Sequence, residues 1–130
     1  YKDDKLGRLG YLQSLLFRAA RLVADTGVNS QKWTRAETIA YLQTTTGLGP
    51  QEIESEVDRY AIWPGQACAY MTGRETIRRL RTGAQQQLKA SFDIKAFHQA
   101  ILAPGPRPLP VLEADIADWI ASQRPQPVKN

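Results

Sequence analysis

Four places along the chain carry side chains whose type and spacing could do chemistry. Tyr11, Ser14, Arg18, Arg21 and Asp25 follow at intervals of three or four residues, which on a helix sets two guanidinium groups and a carboxylate along one line. Such a line is either a solvated face or a polar seam beside a cleft, where Arg18 or Arg21 would grip a carboxylate through two parallel N–H bonds. Arg21 and Asp25 have the spacing of a helical ion pair, in the less favoured charge order. The second place is Arg59-Tyr60-Ala61-Ile62-Trp63-Pro64-Gly65-Gln66-Ala67. Proline removes an amide donor and clashes with the preceding turn, so a helix must break at Ile62-Trp63. The break frees backbone amides at the start of the next helix, where they can face an anion or a developing oxyanion. Gln66 and Tyr70 then lie one turn apart, with Gly73 next on the same face. A tyrosine there is either packed with its hydroxyl bonded or a donor to a reacting carbonyl oxygen.

The third place is the row Arg74, Arg78 and Arg81, with Arg79 just off it. Its plain reading is a solvated face. A nucleic-acid footprint would interleave exposed aromatics, and none stands in this row, so nucleic acid is not the expected partner. The fourth is His98, the only histidine in the chain. It follows Phe97 on an apolar side and reads as a core histidine rather than a ligand.

These residues must be held by helices. Leu12, Leu15, Leu16, Ala19, Leu22 and Val23 recur at helical spacing, which predicts a first helix over 4–24 with Gly27 as its stop. Thr34 and Glu37 form a capping box for a second helix that ends before Gly47. Pro50 after Gly49 opens a third, with Ile53, Val57, Tyr60 and Ala61 as its apolar stripe. A long fourth helix is predicted from Gly65 to Lys89, a short fifth from Asp93 to Leu102, and a sixth from Pro110, with the four prolines of 103–110 making a loop between them. No stretch alternates over a strand's length. The reading is an all-α fold of about six helices in an irregular array, a single domain over 1–122 with a frayed tail at 123–130.

Composition bounds the rest. The chain has 130 residues, is 42% hydrophobic and 23% charged, and carries a formal charge of +4. That suffices to bury a core. No run of eighteen apolar residues is present, so no membrane span is expected, and the first residues lack the pattern of an export leader. One cysteine, Cys68, excludes an internal disulfide framework. One histidine excludes a histidine-rich zinc site built from this chain alone. No metal ligand is therefore assigned within it.

Taken in order, several stretches resemble one family. These are Leu6-Gly7-Arg8-Leu9, the run Arg18-Ala19-Ala20-Arg21-Leu22-Val23-Ala24-Asp25-Thr26-Gly27, and Trp33. Next come Glu56-Val57-Asp58-Arg59-Tyr60 and Trp63-Pro64-Gly65-Gln66-Ala67, with Tyr70 and Gly73. Phe92-Asp93, Phe97-His98, Pro108-Leu109-Pro110 and Leu112-Glu113 complete the series. The set resembles the C-terminal third of the bacterial DUF885 family.

What the resemblance implies is the C-terminal lobe of a larger, helical, zinc-metallopeptidase-like protein. Its His-Glu-x-x-x-x-His motif and a further glutamate motif would lie upstream of this segment. Zinc is then expected in the parent protein and none in this chain, which alone should cleave nothing. The implied substrate is a peptide or small amide, and the implied location is the bacterial periplasm or outside the cell. By the same resemblance Tyr70 is the first candidate for stabilising the oxyanion and Tyr60 the second. Arg59, Gln66, Arg18 and Arg21 would bind substrate. Asn29 stands where relatives usually have a histidine and could donate a hydrogen bond but not act as an acid or base near neutral pH.

Two other readings belong beside this one. In the first, the chain is a non-catalytic helical binding module that uses its arginine face. In the second, it is an oligomerisation piece, forming a homodimer or docking on the rest of its parent chain through an exposed apolar face.

Overall fold

The computed structural model describes residues 2–124. It contains six α-helices and, among the described residues, no strand: α1 (Lys5–Ser30), α2 (Arg35–Thr46), α3 (Pro50–Ile62), α4 (Ala69–Leu88), α5 (Ile94–Leu102) and α6 (Leu109–Gln123). Short 3-10 turns at Gln66–Cys68 and Lys89–Ser91 lie before and after α4. The chain divides into two compact units, Tyr1–Thr72 and Gly73–Asn130, with the boundary inside α4.

Local chemistry explains where most helices begin and end. Asp4 accepts the Gly7 amide at 2.8 Å and opens α1. The Thr34–Glu37 capping box forms in both directions, and Gly47 closes α2 in the left-handed region at φ 66°. Gly49 and Pro50 start α3, and Asp93 caps α5 through the Lys95 amide at 3.0 Å. Arg107 reaches back to the carbonyls of Ala100 and Ile101 in the last turn of α5, where a cation complements the helix dipole.

Three expected boundaries shift. α1 passes through Gly27 and runs to Ser30. Gly27 is a packing residue, since a Cβ there would meet the indole of Trp33. α4 starts only at Ala69, because Gly65 takes a left-handed conformation and a 3-10 turn intervenes. α6 starts at Leu109, with Pro110 inside its first turn, and includes Gln123. Of the predicted frayed tail, residues 125–130 lie outside the described residues.

In the first unit Ala20, Ala24, Leu42, Ile53, Val57, Tyr60 and Ala67 form the core. The face that α1 buries is therefore not its leucine stripe. Ala20, Arg21, Ala24, Asp25 and Gly27 are buried, whereas Leu12, Leu16 and Val23 are exposed. The small residues let α2 and α3 come close, and the two charged groups go in with them. In the second unit Ala84, Leu88, Phe97, Leu112, Ile116 and Ile120 make a separate core. Trp119 meets Phe97 edge-on at 5.9 Å.

Candidate functional site

The first unit gathers most of the candidate residues at one place. α1 supplies Arg18, Arg21, Asp25 and Asn29. The end of α3 supplies Glu56, Arg59 and Tyr60. The turn that follows supplies Gly65 and Gln66, and the first turn of α4 supplies Tyr70.

Asp25 organises the break after α3. Its carboxylate is 2% exposed and accepts the Gly65 amide at 2.9 and 3.0 Å. Asn29 adds a bond to the same carboxylate at 3.2 Å, and one to the Tyr60 carbonyl at 3.1 Å. A buried carboxylate is tolerable only when its lone pairs are met by donors. Three of the amides that follow Pro64 thus have partners within the protein. Gly65 donates to Asp25, Gln66 to the Trp63 carbonyl at 3.2 Å, and Cys68 to the Gly65 carbonyl at 3.1 Å. The Asn29 amide group joins α1 to the end of α3.

A second cluster lies beside the first. Arg21 is 6% exposed, and its Nε faces Glu56 at 3.3 Å. Glu56 also takes both oxygens' bonds from Arg59, at 2.8 and 2.6 Å, and Arg59 donates through its other nitrogen to Gln66 Oε1. One carboxylate therefore couples two guanidinium groups, and Arg59 and Gln66 hold one another. Glu56 holds no site role in the sequence expectation. Its signal was its position three residues before Arg59 on the same helix.

The two tyrosines differ sharply. Tyr60 is 1% exposed, and its hydroxyl is buried with no hydrogen-bond partner. Burial, and then the charge of Glu56, push its phenol above the ordinary 10, so it stays protonated. Tyr70 is 57% exposed. The Arg18 guanidinium lies over its ring at 5.0 Å and that of Arg21 at 6.0 Å. Arg18 is itself steadied by Ser14 Oγ at 2.7 Å.

This arrangement can present a phenolic O–H donor on a ring that two cations cover. It does not hold an activated nucleophile. The Cys68 thiol is pushed up by burial and then by the Asp25 carboxylate, the opposite of what a thiolate needs. Among the described residues no three His, Cys, Asp or Glu side chains converge to hold a metal.

In the second unit Arg74 and Arg78 both bind Glu75, at 2.6 and 2.7 Å, and Arg79 pairs with Glu113. The arginine face is thus partly neutralised. His98 is exposed rather than in the core. Phe97 takes the buried position of α5 at 0% exposure, which leaves the imidazole one residue on at the rim.

These features define an all-α protein in which buried charges clamp a broken helix and carry an exposed tyrosine on the next one. The chain belongs to the bacterial family of unknown function DUF885, whose model matches residues 1–116. It is similar to a crystal structure described as that of "the putative lipoprotein from Colwellia psychrerythraea", with a TM-score of 0.91 and 40% sequence identity. The likeness covers 94% of this chain and 21% of that one, so this chain spans about one fifth of that protein's length. No curated protein matches it by sequence. Among the described residues no helix is long and apolar enough to cross a membrane.

Proposed function

We propose that this chain is the C-terminal lobe of a longer DUF885-type hydrolase acting on peptides or small amides, located in the bacterial envelope or outside the cell. The observation that carries this reading is the exposed Tyr70, mounted just after a clamped helix break with the Arg18 and Arg21 cations over its ring. A donor fixed beside positive charge suits a site where an amide oxygen gains negative charge, because a preorganised dipole acts there without reorganising. Tyr70 is the oxyanion-stabilising residue in this reading. Tyr60, sealed in the core, would have no direct contact with substrate. Arg18 is the substrate-facing cation, while Arg21, Arg59 and Gln66 hold the ground beneath it, and Asn29 keeps the break in place. The zinc that the resemblance implies meets no ligand set among the described residues, and in this reading its ligands lie upstream of this segment. The similarity to a lipoprotein supports the envelope location.

The test is a protein that contains this chain together with the upstream part of the family fold. Its metal content and its hydrolysis of a peptide library are measured. Bound zinc and turnover are expected, with Tyr70→Phe lowering kcat by about a hundredfold or more and KM changing little. A metal-free, inactive protein, or a Y70F variant with full kcat, would overturn the reading.

A further inference from the structure

A separate feature in the second unit points to a ligand. Arg74, Ile77, Arg78 and Arg81 of α4 and Phe97 and His98 of α5 line a cavity of about 190 Å³. Its charge is specific. Glu75 already occupies Arg74 and Arg78, and Arg81 is left with no ion-pair or hydrogen-bond partner among the described residues. The cavity thus offers one free guanidinium fork, a further donor or acceptor group in the His98 imidazole, and one exposed apolar wall, Ile77, with the buried Phe97 behind it. Arginine forks match a carboxylate through two parallel bonds. The volume is below the few hundred Å³ of most small-molecule pockets, which limits the occupant to about one amino-acid residue. A fully polar ion would leave the Ile77 wall unused.

We infer that this cavity binds the free carboxylate of a small organic acid bearing an apolar group, such as the C-terminal residue of a peptide. The carboxylate lies on Arg81, with His98 beside it, and the apolar group lies against the exposed Ile77 side chain. The inference does not depend on the role given to Tyr70, since it stands on different residues and is read by binding alone.

The experiment titrates the full chain with N-acetyl-leucine, N-acetyl-leucinamide and inorganic phosphate, read by amide chemical-shift changes. The acid is expected to bind with a roughly millimolar Kd, the size expected for so few atoms. The shifts should centre on Arg81, Phe97 and His98, and the amide and phosphate should bind at least several-fold more weakly. Arg81→Gln, which removes an exposed and unpartnered side chain and should leave the melting curve unchanged, is expected to weaken the acid by about tenfold. Equal binding of acid and amide, tighter binding of phosphate, shifts centred elsewhere, or an R81Q variant with unchanged affinity would each overturn it.

Discussion

The Asp25 carboxylate accepts the Gly65 amide at 2.9 Å across forty residues of sequence. This bond ties the C-terminal part of α1 to the turn that Pro64 forces, just before the 3-10 turn and Tyr70. Removing the carboxylate leaves a part-buried amide without a partner. Asp25→Ala is expected to cost about 2–3 kcal/mol in urea unfolding, and Asp25→Asn, whose carbonyl can still accept that amide, should cost less. An Asp25→Ala variant as stable as the parent would show that the clamp is idle.

The two glycines of α1 with different surroundings should respond in opposite directions. Gly27→Ala places a methyl group against the Trp33 ring and is expected to destabilise by about 1–3 kcal/mol. Gly10→Ala meets nothing within 4 Å and should stabilise by about 0.5–1 kcal/mol, as alanine does in an open helix interior. Thermal melts of the two variants check both signs.

Tyr60 gives the alkaline side of the stability curve a definite sign. Its folded phenol is held above 10, so the folded state binds the proton more tightly than the unfolded one. The stability this contributes is complete below pH 10 and is lost as pH rises from there toward the raised folded value. Tyr60→Phe should abolish that part of the decline. At neutral pH it should match or exceed the parent in stability, because the buried hydroxyl it removes has no hydrogen-bond partner. Urea midpoints at pH 7 and above 10 check this.

On the acid side Glu37 is lowered from 4.5 by the Thr34 backbone amide and then its hydroxyl, and Asp58 is lowered from 3.8 by Arg35. Their contribution is present above those values and fades as pH falls through the depressed folded ones. Thr34→Val removes half of the capping box and should flatten this slope. Helix content followed below pH 5 measures it.

The leucines on the outer face of α1 predict association. Leu6, Leu9, Leu12 and Leu16 are exposed in succession, and Leu9, Leu12, Gln13, Leu16 and Thr46 line a hollow of about 430 Å³. A row of this kind is uncommon on a monomer's surface. The chain is expected to scatter light as a dimer or larger species. Leu9→Lys with Leu12→Lys should return it to a monomer whose melting temperature no longer depends on concentration. Monomeric parent protein at high concentration would remove this prediction.

The sequence by itself determined the helices, because caps, prolines and 3.6-residue spacing act over a few residues. Thr34–Glu37, Pro50, Pro64 and Asp93 mark their ends from local chemistry alone. It also placed the family's residues in order along the chain. Which face of α1 lies inside was decided only by tertiary structure. The spacing leaves Arg21 and Asp25 as either a solvated face or a polar seam and marks the leucines as the core stripe, while the groups that face the two charges inside, Glu56 and the Gly65 amide, lie 35 and 40 residues away. The same holds for the two tyrosines, ten residues apart with similar neighbours. One is sealed and the other open because α3 packs into the core while the first turn of α4 stands clear of it. Local pattern specifies an element, and only the packing of distant elements specifies which of its faces loses contact with water.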